Sequence, residues 1–254
     1  MPFVTVFSHR IEYERVVVTR ADRPTLVFLH EGLGSVAMWR DFPSRVAHAT
    51  NCNALVYSRY GYGNSEPLRE PRTVSYMHDV ALAPLPELLD QLAIDGPILV
   101  GHSDGGSIAL IYAGGAGRPV GGLVLMAPHV LVEDISIASI AAAKVTYETS
   151  DLRAKLAQYH ADVDSAFWGW NRIWLHPDFR RWNIEDFLPR IGCPVIAMQG
   201  EDDEYGTMEQ LARIGRQVAD VELLTLKDCR HSPHRDQPEA VIEAITFFVD
   251  RITA

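Results

Sequence analysis

The sequence predicts an α/β protein: a mostly parallel, eight-stranded sheet with helices on both faces. Three observations predict it. Unbroken apolar runs recur at 25–29, 54–58, 98–100, 122–127, 194–199 and 221–226, and strands without polar alternation are buried on both faces. Helical spacing separates most of these runs, which is the order of βαβ units. Several runs end in glycine-rich or acidic turns, as strands do where a parallel sheet gathers its functional groups.

In chain order, residues 3–7 and 11–18 read as two strands, an antiparallel edge pair. The strand at 25–29 runs into His30-Glu31-Gly32-Leu33-Gly34-Ser35. Residues 36–49 are then helical, with Met38, Phe42 and Val46 on one face. The strand at 54–58 leads to the turn Gly61-Tyr62-Gly63-Asn64-Ser65. Residues 75–92 have helical spacing that Pro84 and Pro86 should bend or interrupt. Strand 98–100, a helix over 107–113 and strand 122–127 follow. Strand 194–199, a helix over 208–218 and strand 221–226 resume the alternation. The last helix has Asp236 near its N-cap, Pro238 in its first turn, and Val241, Ile245, Phe248 and Ile252 on one face.

Residues 130–190 carry no strand signal. They read as helices near 134–148, 151–160, 163–174 and 185–190, and they hold four of the five tryptophans. Residues 1–129 and 191–254 therefore form the expected core, and 130–190 a helical cap inserted into it. An insertion entering from the strand after residue 103 lies over that edge of the sheet. Its aromatic residues hold the module together, and Trp168, Trp170 and Trp174 are candidates to line an apolar pocket.

The chain has 254 residues, 47% hydrophobic and 22% charged, enough for one core and too few for two full enzyme domains. Its net charge of −10, without a Lys/Arg-rich stripe, speaks against nucleic acid or an anionic membrane as partner. Residues 1–10 lack the pattern of a signal peptide, and no apolar run approaches the roughly 18 residues of a membrane span. Cys52, Cys193 and Cys229 are far apart and show no metal-ligand spacing. A reduced, cytoplasmic protein without a metal site is the expectation.

The chemistry centres on Gly101-His102-Ser103-Asp104-Gly105, between a strand and a helix. Strand, sharp turn and helix make G-x-S-x-G a nucleophile elbow, with small residues two before and two after the serine. The helix N-terminus directs free N–H groups to where negative charge would develop. A serine hydroxyl needs a base, and the base an orienting carboxylate. Glu201-Asp202-Asp203-Glu204 follows the strand at 194–199, and His231-Ser232-Pro233-His234 follows the strand at 221–226. Alone, the acidic loop reads equally well as a solvated surface turn and the histidine as a surface or core residue; together they sit at successive strand ends in the order serine, acid, histidine.

Over nearly its full length the chain resembles the α/β-hydrolase family. The matching stretches are Leu29-His30-Glu31-Gly32, Gly61-Tyr62-Gly63-Asn64-Ser65, the elbow, Gln199-Gly200-Glu201-Asp202-Asp203 and His231-Ser232-Pro233-His234. The resemblance implies Ser103 as nucleophile, Asp203 as acid and His231 as base, with His234 a neighbour. In some members the acid follows an earlier strand, which here would be Glu133 or Asp134. Gly32 and Asp104 would supply the oxyanion N–H groups, and His30 and His102 would be structural. Glu31 stands where the family usually has glycine, Arg230 where glycine precedes the histidine, and Ser58 and Tyr60 replace an Asp and an Arg. Ser-Asp-Gly-Gly also resembles the elbow of members whose aspartate recognises a substrate amine. Otherwise the Asp104 carboxylate bonds loop backbone or nearby Tyr/Arg groups.

The implied activity is hydrolysis of a carboxylic ester with an apolar or aromatic acyl group, through an acyl-enzyme and without cofactor. Carbon–carbon bond hydrolases, enol-lactonases, thioesterases and cofactor-free haloperoxidases use similar triads. A non-catalytic binder of this fold would not require all three groups. A nucleotide-binding protein is disfavoured, because no G-x-G-x-x-G follows the first strands.

Overall fold

The computed structural model describes residues 2–18 and 23–254; Met1 and residues 19–22, part of the expected core segment, lie outside the described residues. Two strands open it, β1 (Phe3–Val6) and β2 (His9–Val16), antiparallel with Phe3 opposite Glu12. β3 (Leu26–Leu29) follows. The helix expected over 36–49 is instead a 3-10 turn (Ala37–Trp39) and α1 (Phe42–Thr50), broken at Arg40, whose φ is 53°. Pro43 lies in the first turn of α1, where its missing N–H costs no helical bond, so α1 starts just before it.

After β4 (Ala54–Tyr57) come α2 (Tyr76–Leu82) and α3 (Pro84–Gln91), split at Ala83 as the prolines require. β5 (Ile98–His102), α4 (Asp104–Gly115) and β6 (Gly122–Met126) form the next unit. Between β6 and β7 (Val195–Gly200) lie α5 (Asp134–Thr149), α6 (Leu152–Leu156), α7 (Val163–Trp174) and 3-10 turns Pro177–Arg181 and Glu185–Arg190. α8 (Glu209–Gln217), β8 (Val221–Leu226), α9 (Pro233–Asp236) and α10 (Pro238–Ile252) complete the fold. Asp236 ends the short α9 rather than capping the last helix, and Gln237 stands at the N-cap of α10.

The eight strands form one sheet in the order β1-β2-β4-β3-β5-β6-β7-β8, parallel from β4 to β8. Alternate strand residues face two helical layers. Leu26, Phe28, Val56, Val100 and Val124 pack with α1 and α10 through Phe42, Val46, Val241 and Phe248. Val27, Leu55, Leu99 and Leu123 pack with α3, α4 and α8 through Leu85, Leu88, Ile108 and Ile214. Burying each such side chain contributes about 1.5–3 kcal/mol.

The helical insertion leaves and rejoins the sheet at one neck. Leu131 bridges Asn183, and the Ile184 N–H donates to the Val130 carbonyl at 2.9 Å. That neck sits at the end of β6, beside the turn that carries Ser103. Among the described residues no helix is long and apolar enough to cross a membrane.

Candidate active site

Ser103 stands alone between β5 and α4 with φ 52° and ψ −118°, a strained conformation for a residue with a Cβ. Two contacts explain the glycines around it. A Cβ on Gly101 would lie 2.5 Å from the Gly105 carbonyl, and one on Gly105 would collide with the Leu29 carbonyl. The Ser103 N–H donates to Met126 O at 2.9 Å, tying the turn to β6.

The side chain of His231 is 2.9 Å from Ser103 Oγ through Nε2 and 2.8 Å from Asp203 Oδ1 through Nδ1. This network assigns the proton to Nδ1, leaving Nε2 to accept from the serine hydroxyl. Asp203 also accepts from the N–H groups of Tyr205 (2.8 Å) and Gly206 (3.3 Å) and from Gln199 Nε2 (3.1 Å). Burial by itself would raise the Asp203 pKa, but the bond and charge of His231 and the Tyr205 N–H outweigh it and lower the value. His102 Nε2 donates to the His231 carbonyl at 2.7 Å, bracing the histidine loop from below the elbow.

The rival carboxylates lie elsewhere. Glu133 accepts from Thr207 N at 2.9 Å and Gln210 Nε2 at 2.7 Å, and exposed Asp134 pairs with Arg180. Neither reaches His231.

Opposite the elbow, the loop after β3 is fixed by two buried side chains. His30 bonds the Glu31 carbonyl through Nδ1 (2.6 Å) and accepts the Arg59 N–H at Nε2 (3.0 Å). The Arg59 guanidinium donates to the His30 and Glu31 carbonyls. Among the described residues, the N–H groups of Gly32 and Asp104 have no protein acceptor, and both residues line the cavity over Ser103. Gly32 has no room for a side chain, because a Cβ there would enter the Trp170 indole.

The Asp104 carboxylate is fully committed. Oδ2 accepts from Tyr76 OH at 2.6 Å and lies 3.8 Å from Arg59 Nη2, and Oδ1 accepts from Trp174 Nε1 at 3.3 Å. It is thus hydrogen-bonded by Tyr76 and Trp174 and ion-paired with Arg59, and at 1% exposure it does not open onto the cavity to receive a substrate amine. Burial raises its pKa, against the pull of Arg59 and Tyr76.

A cavity of about 180 Å³ opens over Ser103, walled by Trp170, Trp174, Ile140, Leu33 and Tyr205. Trp168, expected beside Trp170 and Trp174, does not reach it. Helical residues two apart point to opposite sides, so Trp168 lines an outer groove with Leu68 and Arg172. Its ring carries the Arg172 guanidinium at 5.4 Å.

Three groups in or behind this site carry no motif. Arg59 and Tyr76 form the wall behind Asp104. His129 lines the cavity with its ring 5.7 Å from that of His231, and its buried Nδ1 has no partner among the described residues. Burial, reinforced by the His231 charge, pushes its pKa down to about 3, so it is neutral wherever the protein is folded near neutral pH. A histidine just past a strand end was the available signal for it.

Glu31 lies 3.5 Å from His102 Nδ1 and 3.7 Å from Arg235. Burial would raise its pKa, yet the His102 bond and charge and Arg235 hold it well below the usual carboxylate range. Glu31 and Asp203 thus bind protons less readily in the native state than in the unfolded chain. Their stabilisation is complete above the ordinary carboxylate range, near 4, and is lost as pH falls through the native values. Thermal melts should show Tm dropping below pH 5, with a shallower drop in Glu31→Gln. An identical slope in that variant removes Glu31 from the account.

Residues 26–244 match the model of the alpha/beta hydrolase family. The chain belongs to that family. Over 106 residues this alpha/beta hydrolase is 32% identical to a proline iminopeptidase of Lactobacillus delbrueckii subsp. lactis, a match covering 42% of this chain and 36% of that protein. The chain thus spans about a third of the length of the curated relatives it matches. The crystal structure of a proline iminopeptidase from Mycobacterium smegmatis has a TM-score of 0.80 at 16% identity, covering 99% of this chain and 98% of that one. A structure reported with the carboxylesterases of Nitrososphaera gargenis has a TM-score of 0.80 at 20% identity and covers 99% of both chains. At such identities the likeness is one of fold.

Proposed function

We propose that this alpha/beta hydrolase cleaves carboxylic esters of small, uncharged, apolar acyl groups through an acyl-enzyme. The observation that carries the reading is the hydrogen-bonded chain Ser103 Oγ, His231, Asp203. His231 Nε2 takes the hydroxyl proton as Oγ attacks the carbonyl carbon, and Asp203 stabilises the imidazolium that forms. The N–H groups of Gly32 and Asp104 receive the oxyanion. The imidazolium then gives its proton to the departing alkoxide, and water repeats the sequence to release the acid.

The cavity supports the substrate class. Its walls are largely apolar and its volume is small, and the charged residues on its lining, Glu31, Asp104 and Glu204, all carry carboxylates. Each is paired with an arginine outside the lining, and among the described residues no Lys or Arg side chain lines the cavity to receive an anionic substrate. The same carboxylates favour one second reading, hydrolysis of an amino-acyl bond with the substrate ammonium near Glu31 or Glu204. The name of the curated relatives points the same way.

One set of kinetics tests both readings: kcat/KM for short, aromatic and prolyl p-nitrophenyl or p-nitroanilide substrates. The ester reading expects turnover of short neutral esters above the prolyl anilide; the reverse ranking selects the second reading, and no turnover of either class overturns both. Trp170→Ala and Trp174→Ala should shift the preference between short and aromatic esters severalfold, while Trp168→Ala leaves it unchanged. Equal losses on all substrates would make Trp170 and Trp174 scaffold only.

A further inference from the structure

A second apolar cavity, larger than the one over Ser103, lies apart from it. A space of about 330 Å³ lies between the β1–β2 hairpin, the 68–73 loop and the α2–α3 pair. Val6, Ile11, Val80, Leu85 and Leu88 give it apolar walls. That volume falls within the range of small-molecule sites, roughly 300–1,000 Å³. Tyr76 and Arg59 stand on its lining and also contact Asp104, so this cavity and the catalytic one lie on opposite sides of a single polar wall.

The polar groups on the lining define what it could hold. Tyr57, 4% exposed, has a buried hydroxyl with no hydrogen-bond partner among the described residues. Arg72 Nε likewise has no partner among the described residues, while its Nη2 donates to the Tyr60 carbonyl at 3.1 Å. The Arg59 side chain, 3% exposed, adds a buried cation. The Tyr57 hydroxyl and Arg72 Nε are donors left without an acceptor, which is destabilising when buried. The Arg59 guanidinium already donates to the His30 and Glu31 carbonyls and offers its charge. The two carboxylates on the lining are engaged near the surface: Glu70 accepts from Tyr60 OH at 3.3 Å, and Asp79 from Ser75 Oγ at 3.0 Å and Thr73 Oγ1 at 3.1 Å. Buried donors and a cation on an apolar cavity are complementary to a compact anion carried on a hydrocarbon body.

We propose that this cavity is a second ligand site for a medium-chain apolar carboxylic acid, its carboxylate directed to Tyr57, Arg72 and Arg59. A ligand of this kind has the chemistry of the acid an esterase releases. Its carboxylate would contact the guanidinium that also holds the His30 and Glu31 carbonyls, so occupancy reaches the oxyanion loop through one side chain.

The test is titration of carboxyl-labelled octanoate by carbon NMR on the whole protein, with octanamide as the uncharged control. Wild type should bind one octanoate at this site, at least about tenfold more tightly than octanamide. Tyr57→Phe removes only the unpartnered hydroxyl. It should leave Tm unchanged or raised and weaken octanoate severalfold. Val80→Trp fills the cavity and should abolish binding while thermal melting shows a folded protein. Should that variant not fold, Tyr57→Phe decides the matter alone. The proposal is overturned if octanoate does not bind, if octanamide binds equally well, or if binding is unchanged in Tyr57→Phe. Binding in a folded Val80→Trp equal to wild type places the ligand elsewhere, over Ser103 included, and also overturns it.

Discussion

Ser103→Ala and His231→Ala should each lower kcat on the best ester by about a thousandfold or more, with Tm within a few degrees of wild type. The reason lies in the proton path. Ser103 Oγ is 2.9 Å from His231 Nε2, and among the described residues no other imidazole nitrogen is hydrogen-bonded to it. His129 cannot substitute: its basicity is too low, at a pKa of about 3. A double variant should therefore be hardly worse than either single one, because the two groups act as a unit. A fluorophosphonate should modify wild type once, on Ser103, and fail to modify Ser103→Ala. Asp203→Asn should cost up to about ten-thousandfold, since an amide would favour the wrong tautomer of His231. If Asp203→Asn stays active while Glu133→Gln or Asp134→Asn does not, the acid has been misassigned. A folded wild-type protein that resists the fluorophosphonate sinks the nucleophile itself.

The strands and their parallel pairing were legible because buried parallel strands leave unbroken apolar runs between helical ones, whereas their order in the sheet, with β3 between β4 and β5, was not. Breaks inside helices were legible where proline removes an N–H, as at Ala83-Pro84, and illegible where the cause is one residue's backbone. Arg40, at φ 53°, divides the segment 36–49 with no marker in its side chain. Gly101, Ser103 and Gly105 could be read from sequence because steric necessity confines the elbow to small residues. Trp168 could not be told from Trp170, since composition marks a helix as aromatic without saying which face turns inward. Arg59, Tyr76 and Asp104 are brought together from three separate elements. Long-range pairing of buried polar groups leaves no local periodicity, so their network is visible only in the fold.

That network carries the second large effect. Arg59→Met should destabilise the protein by about 3 kcal/mol, because it leaves the Asp104 carboxylate, 1% exposed, without the cation paired to it at 3.8 Å and with only the more distant charge of Arg72. Tyr76 OH at 2.6 Å and Trp174 Nε1 at 3.3 Å still donate to it, but neither carries charge. Asp104→Asn alone should cost less, since the guanidinium keeps the His30 and Glu31 carbonyls as acceptors. Adding Asp104→Asn to Arg59→Met should then recover part of the loss, giving a coupling of about 1–3 kcal/mol in urea unfolding. Strictly additive variants would show that the 3.8 Å pair contributes nothing and that Arg59 acts through the carbonyls alone. Activity separates the two roles. Without the guanidinium the loop after β3 loses the donors that fix the peptide preceding Gly32, and the Gly32 N–H loses its aim. Loss of one oxyanion donor costs about a hundredfold or more in kcat, and Asp104→Asn does not touch that loop. Arg59→Met should therefore stay slow in the double variant even as stability returns. Return of kcat together with stability would show that Arg59 has no hold on the oxyanion loop beyond its pairing with Asp104.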